Sequence, residues 1–243
     1  MIQRPFSKRS QAIPAFKAMA ILAKASQMAL NGRDIIHLEV GQPDFPVAKA
    51  IRMAGIEAIR AGQTGYSDAN GLPALRAQIS DHYRCVYGLE IEERRIILTA
   101  GASGALALVV ALLTDPGDGW LLTDPGYPSN RRFIEAFSGI AQSCVVGPED
   151  RFQFSASTVS QAWQPNTVSL LLASPGNPTG TSLSRSVLKD LAKVVEAKNG
   201  FLVSDEIYQG LEYGPTKRVS ALSVTNDAFV VNSFSKYFGM TGW

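Results

Sequence analysis

Cysteine, charge of one sign and long apolar runs are all scarce in this sequence, and each shortage excludes a class of protein. Cys85 and Cys144 are the only cysteines in 243 residues, and neither stands in a CxxC spacing. No disulfide framework, zinc site or other metal site is therefore predicted. The formal net charge of +2 gives no reason to expect nucleic acid or an anionic membrane as a partner.

No apolar stretch is long enough to span a bilayer, and the most apolar window, 105–113, is short enough to be a core helix. The first 33 residues hold six basic and no acidic side chains. Transit peptides share this bias, but we favour an ordinary amphipathic first helix. Because no signal-peptide pattern is found and the thiols fit a reducing compartment, we expect a cytoplasmic protein.

Short apolar runs alternate with segments of helical periodicity from residue 96 onward. We predict strands at 96–99, 120–123, 140–146, 168–173, 201–204 and 228–231. Upstream we predict helices over 15–30 and 48–61, with a short strand over 35–40 between them. The alternation predicts an α/β fold with a mostly parallel sheet and flanking helices. Ligands bind at the carboxyl edge of such a sheet, so residues directly after the strands are site candidates.

Two ionisable residues at this predicted edge carry the chemistry. Lys236 follows the last strand, among small hydroxyl residues and glycines, and a partly desolvated amine can attack a carbonyl. The alternative is a strand-end lysine that faces water. Asp205 follows the run 201–204, where a buried carboxylate needs a cation as partner. The alternative for Asp205 is an N-cap of the turn at Ile207.

Three other edge segments could bind parts of one planar, phosphorylated ligand. Gly101, Ala102 and Ser103 precede a predicted helix, and their backbone amides offer an anion site. Tyr127 lies in a proline-rich turn and could stack on a ring, or it is a packed loop aromatic. Asn177 could donate to a phenolate oxygen, or it is an ordinary turn residue.

Three motifs, in chain order, resemble those of the class I and II aminotransferases, which are fold-type I pyridoxal-phosphate enzymes. They are Asn177-Pro178-Thr179-Gly180, Asp205-Glu206-x-Tyr208 and Ser233-x-Ser235-Lys236-x-x-Gly239. The resemblance covers nearly the whole chain. It implies pyridoxal 5'-phosphate as cofactor, the large domain of that fold in residues 46–243, and an N-terminal arm with part of a smaller α/β domain in 1–45.

The same resemblance implies roles at the cofactor. Lys236 would hold it as a Schiff base and then act as general acid and base, and Asp205 would pair with the ring nitrogen. Tyr208 and Asn177 would contact the phenolate oxygen, with Asn177 also beside the substrate. Ser233 would bind the phosphate together with the turn at 101–103.

Two further residues take their expected roles from the resemblance alone. Gly41, in a Gly-x-Pro-Asp-Phe loop, would lie near the substrate carboxylate. Tyr66 would reach the cofactor phosphate of the neighbouring subunit, which implies a homodimer; otherwise Tyr66 is a loop anchor. A phosphate-binding arginine and the rest of the small domain would follow Trp243, so we expect this chain alone to be inactive.

An aminotransferase that moves an amino group from an amino acid to a 2-oxo acid is the function we predict. A lyase or decarboxylase on the same scaffold is the nearest alternative, because a fold does not fix a reaction. A non-catalytic module that binds pyridoxal phosphate, such as half of a transcription regulator, would need a DNA-binding domain, for which residues 1–40 are too short. A doubly wound nucleotide-binding domain is disfavoured because no GxGxxG follows a strand.

Overall fold

A parallel five-stranded sheet lies at the centre of the protein in a computed structural model, which describes residues 6–41, 43, 45–214 and 218–243. The strand order is β2-β1-β3-β4-β5, and all four neighbouring pairs are parallel. The strands are β1 Gly119–Asp124, β2 Ile140–Val145, β3 Thr167–Ala173, β4 Phe201–Asp205 and β5 Ala228–Val231. The predicted α/β class with a mostly parallel sheet is confirmed.

Helices connect and flank these strands. They are α1 Lys8–Ala12, α2 Lys17–Leu30, α3 Lys49–Arg60, α4 Pro73–Tyr87, α5 Gly101–Leu113, α6 Pro128–Ala136, α7 Ala156–Ala162 and α8 Arg185–Ala197. Short 3₁₀ turns form at Glu93–Arg95, Pro148–Asp150 and Ala221–Ser223. The predicted helices agree with α2, α3 and α5, although α5 begins at Gly101 rather than at 105. None of the described helices combines the length and the apolar content that a membrane span requires.

The sheet is buried on both faces because alternate residues of each strand point to opposite sides. Leu170 and Leu172 of β3 pack on one face, in a cluster with Leu188 and Leu191 of α8. Leu171 packs on the other face, in a cluster that includes residues of α5 and α6. This three-layer arrangement explains why β3 appears in the sequence as a continuous apolar run.

Two predicted strands are wrong. Residues 96–99 lie outside any strand: the Leu98 N–H donates to the loop carbonyl of Asn70 at 3.1 Å, and Ile97 is 60% exposed. Residues 35–40 are also outside any strand, with Ile36 and Leu38 more than 80% exposed. An apolar run becomes a strand only where a neighbouring strand supplies ladder partners. Neither run has such a neighbour in the part of the chain that the structure describes.

Candidate active site

The carboxyl ends of β3, β4 and β5 are aligned side by side. Ala173, Asp205 and Val231 are register partners across the three strands. The backbone continues this alignment, since Ser174 N donates to Asp205 O at 3.0 Å and Glu206 N donates to Val231 O at 2.8 Å. The segments that follow the three strands therefore start from one edge of the sheet.

Asp205 is a buried carboxylate at this edge. Its side chain Oδ1 accepts a hydrogen bond from Ile207 N at 3.2 Å, so it does cap the following turn. Burial raises the pKa of Asp205 to about 6, and the Ile207 hydrogen bond only partly offsets that effect. No ion pair to Asp205 is found in the described ranges. The carboxylate is thus buried without the cation that would stabilise its charge.

Lys236 sits in a tight turn that follows β5. Gly239 closes the turn with φ +66° and donates its N–H to Lys236 O at 3.1 Å. The Lys236 side chain is partly buried, with Nζ 3.4 Å from Gly41 O and 5.7 Å from the ring centroid of Tyr208. The turn thus places the amine against Gly41 and Tyr208, both predicted site residues.

Asn177 and Tyr208 are brought together from two different loops. Asn177 Nδ2 donates to the Tyr208 hydroxyl at 3.3 Å. The pKa of Tyr208 is raised by burial first and then by the nearby Asp205 and Tyr127, whereas the Asn177 hydrogen bond lowers it. Asp205, Asn177 and Tyr127 are therefore electrostatic neighbours of Tyr208.

Tyr127 forms one wall of this site and contacts the N-terminal arm. Its ring meets the ring of Phe16, at the start of α2, edge to face with centroids 5.9 Å apart. A cavity of about 200 Å³ lies next to it and is lined by both Tyr127 and Asn177. The lining of this cavity does not include Asp205 or Lys236. Tyr127 therefore packs against another aromatic ring, which is the alternative role that the sequence suggested for it.

Gly101, Ala102 and Ser103 form the first turn of α5 rather than a loop before it. Gly101 has φ +72°, which a residue with a side chain rarely adopts. The first-turn N–H groups of a helix lack partners within the helix and suit an anion. The helix packs against β5, from which the Lys236 turn continues. Ser233 in that turn is partly buried, and its hydroxyl accepts from Ser235 N at 3.1 Å.

Tyr66 is not part of this cluster. It lies in the loop between α3 and α4, and its side chain is fully exposed. Gly41 is the member of the Gly-x-Pro-Asp-Phe loop that contacts Lys236. Gln42 and Asp44 of that loop lie outside the described residues.

Three residues near the site were missed by sequence reasoning. Glu206 is only 1% exposed although it carries a carboxylate, and Gln209 is also buried. Their position directly after the buried strand β4 was a signal that could have been used, because polar residues there must find partners. The contact of Phe16 with Tyr127 spans more than a hundred residues, and no local pattern announces it.

A family model, aminotransferase class I and II, matches residues 33–243. The chain is 34% identical over 232 residues to a valine–pyruvate aminotransferase of Mycobacterium tuberculosis, covering 95% of this chain and 60% of that protein. It is 32% identical to an aspartate aminotransferase of Geobacillus stearothermophilus, covering 98% and 61% respectively. The solved structure of the aspartate aminotransferase of Thermus thermophilus with maleate has TM-score 0.95 and 32% identity. That likeness covers 99% of this chain and 63% of the solved one.

The chain spans about three fifths of the length of the curated relatives it matches. The family model, in contrast, extends over most of this chain and includes all three motifs that carry the chemistry. The chain belongs to the aminotransferase class I and II family.

Proposed function

We propose that the protein is a pyridoxal-phosphate-dependent aminotransferase that moves an amino group from an amino acid to a 2-oxo acid. The observation that carries this proposal is the arrangement of Lys236 and Asp205. Asp205 ends β4 and Lys236 follows the neighbouring strand β5, with the Tyr208 ring centroid 5.7 Å from the lysine nitrogen. An amine and a buried carboxylate at the same sheet edge suit the two ends of a pyridine ring that carries an aldehyde. The amine can bond to the aldehyde carbon, and the carboxylate can pair with the ring nitrogen.

The residues present fit pyridoxal 5'-phosphate. Asp205 is buried and needs a cation, and a protonated ring nitrogen supplies one. The Asn177 and Tyr208 pair offers two hydrogen-bonding groups for the phenolate oxygen. The N-terminus of α5, at Gly101, Ala102 and Ser103, and the Ser233 hydroxyl are suited to the phosphate. Tyr127 offers a ring face at the same site.

Bound pyridoxal phosphate supplies an electron sink for the negative charge that develops on the substrate α-carbon. Lys236 would hold the cofactor covalently through Nζ and then move a proton to and from that α-carbon. Asp205 would keep the proton on the ring nitrogen in place. The Gly41 segment, whose carbonyl contacts Lys236, would border the substrate and its carboxylate.

We place the substrates in the class of amino acids and 2-oxo acids. The relatives named above are valine–pyruvate and aspartate aminotransferases, which share this class and differ in the side chain. The aromatic pair Phe16 and Tyr127 borders the site from the arm side.

A homodimer is part of the proposal. Tyr66 is fully exposed and stands apart from the site residues of its own chain. A tyrosine with that exposure is free to contact a second copy, and its hydroxyl would then serve the partner's cofactor phosphate. The motif resemblance of the loop around Tyr66 supports this arrangement.

We also propose a reducing compartment, the cytoplasm, for this protein. Cys85 is exposed on α4 and Cys144 is buried in β2, and both are free thiols. Free cysteines of this kind persist where glutathione and thioredoxin keep thiols reduced.

Borohydride reduction of the cofactor-loaded protein, expressed at the full length of its relatives and followed by peptide mapping, tests the proposal. The reduced cofactor should be found on the peptide that contains Lys236, and Lys236→Ala should abolish both the label and transamination. Lys189→Ala, which changes an exposed lysine on α8, is the matched control and should leave both intact. A label on another lysine, or amino transfer by Lys236→Ala at the rate of the control, would contradict the proposal.

A further inference from the structure

Glu206 is a buried carboxyl group that the proposed function does not use. It is 1% exposed and directly follows β4 and Asp205. Its Oε1 accepts two hydrogen bonds, from Ser204 Oγ at 2.9 Å and from Ala221 N at 2.7 Å. Its Oε2 is buried and has no partner in the described parts of the chain. A buried acceptor without a donor costs roughly 1–3 kcal/mol, so this oxygen needs an explanation.

Gln209, three residues later, also has a buried oxygen without a hydrogen-bond donor within the described ranges. Its Nε2 donates to Ser174 O and to Val219 O, both at 3.0 Å. Its Oε1 is buried and also lacks a partner among the residues described. The two donor bonds fix which end of the amide is nitrogen, because only the NH₂ group can donate to two carbonyls. The unsatisfied atom is therefore an acceptor.

The two head groups approach the same short segment from the same side. Glu206 binds the N–H of Ala221, and Gln209 binds the carbonyl of Val219. Ser220 between them is extended, with φ −89° and ψ 147°. In an extended backbone the carbonyl before a residue and the N–H after it point in the same direction. The carboxyl and the amide are therefore neighbours, each with one free oxygen.

Two free oxygens side by side repel each other as acceptors, but one proton turns them into a hydrogen bond. We propose that Glu206 is a positioning residue that stays protonated and donates from Oε2 to Oε1 of Gln209. With Glu206 neutral, Asp205 carries the negative charge at the end of β4. The role rests on the proposed function, because positioning matters only if Asp205 and Tyr208 serve a cofactor.

The surroundings of Glu206 favour its neutral form. Burial raises the pKa of Glu206 to about 7, and the Ala221 N–H together with the Ser220 and Ser204 hydroxyls beside the carboxyl group only partly offset it. The titratable groups that face it are Asp205 beside it and Tyr83 and Tyr87 of α4. None of these supplies a positive charge that would hold a carboxylate ionised.

The hydrogen bonds of Glu206 and Gln209 connect the segments that carry the candidate site residues. Through Glu206 and Gln209 this network joins Ser174 after β3, Ser204 in β4 and the 219–221 segment. Tyr208 lies inside the turn that these two residues anchor, and Gln209 N donates to Glu206 O at 3.0 Å. Loosening the network would therefore shift Asp205 and Tyr208 together relative to Lys236.

Infrared difference spectra of the cofactor-free full chain at about pH 6 test the protonation directly, because surface carboxylates are ionised there. The wild type minus Glu206→Gln spectrum should contain the carbonyl band of a neutral carboxyl group. Glu196→Gln, an exposed glutamate on α8, is the control and should show only loss of a carboxylate band. A carboxylate band alone in the Glu206→Gln difference overturns the proposal.

Cofactor binding gives the second readout. Glutamine can accept at Oε1 and donate from Nε2, so Glu206→Gln should keep the cofactor Kd within about threefold of wild type. Glu206→Leu should weaken binding by tenfold or more, and a Glu206→Gln variant as weak as Glu206→Leu would overturn the role. If wild type itself binds no pyridoxal phosphate, the proposed function fails, and the infrared result still decides the protonation of Glu206.

Discussion

Asn177 Nδ2 lies 3.3 Å from the hydroxyl oxygen of Tyr208 and joins the loop after β3 to the turn after β4. This bond has a consequence for ligand binding, because both groups would also face the phenolate oxygen of the cofactor. Tyr208→Phe removes the hydroxyl and keeps the ring. Losing one hydrogen-bonding group costs about 1 kcal/mol, so we expect the cofactor Kd to rise about fivefold.

Equilibrium dialysis of the full chain with pyridoxal phosphate measures this change. Tyr213→Phe is the matched control, because Tyr213 is 97% exposed and forms no side-chain hydrogen bond with the residues that the structure describes. An unchanged Kd in Tyr208→Phe would mean that the hydroxyl does not contact the cofactor.

Asp205 should make the cofactor-free protein less stable as the pH rises. Its pKa is raised by burial from the ordinary value of 3.8 to about 6 in the folded state. The folded state therefore binds the proton more tightly than the unfolded state, and stability falls as pH rises through that window. The contribution is about 3 kcal/mol and should be absent in Asp205→Asn.

Urea unfolding of the cofactor-free full chain at about pH 4 and about pH 7.5 checks the sign. The free energy of unfolding should fall more between these values in wild type than in Asp205→Asn. Asp190→Asn, which changes an exposed aspartate on α8, should behave like wild type. A wild-type decrease no larger than that of Asp205→Asn would show that Asp205 is not desolvated.

Gly239→Ala should weaken cofactor binding through the backbone. The position has φ +66°, and a Cβ there would make only ordinary contact with Phe45, so the cost is conformational. A side chain in the left-handed region costs about 1 kcal/mol. Because Gly239 closes the Lys236 turn, we expect a cofactor Kd several-fold higher than in wild type.

Gly62→Ala provides the comparison, because Gly62 has φ +68° with open space around it and lies away from the site. Both variants should lose similar thermal stability, and only Gly239→Ala should lose cofactor affinity. Equal cofactor affinity in the two variants would show that the Lys236 turn does not affect cofactor binding.

Mixing two impaired variants, both expressed at the full length of the relatives, tests the position of Tyr66. If Tyr66 serves the partner's site, a hybrid of a Tyr66→Phe chain and a Lys236→Ala chain has one doubly altered site and one intact site. Transamination should therefore reappear on mixing and reach a substantial fraction of the wild-type rate per hybrid. Should the mixture stay as slow as the separate variants, Tyr66 acts in its own subunit or not at all.

The sequence motifs and buried runs were sufficient to predict the sheet edge at which the chemistry is concentrated. The runs at 168–173 and 201–204 are strands because they are apolar on both faces, as a central parallel strand must be. Asp205 ends β4, Asn177 and Lys236 follow β3 and β5, and the parallel register brings these strand ends together. The residues 96–99 have a similar apolar character but are not a strand, because strand formation depends on a partner elsewhere in the chain.

The amino-acid sequence by itself determined the family, the parallel sheet and the set of candidate site residues, because short-range periodicity and motif spacing are local properties. Only the tertiary structure decided that Phe16 packs on Tyr127, that Tyr66 stands apart, and that Glu206 and Gln209 meet at the 219–221 segment. These relationships join residues that are distant in the chain or belong to different loops. Their energies come from burial and hydrogen-bond satisfaction, which exist only once the chain has packed.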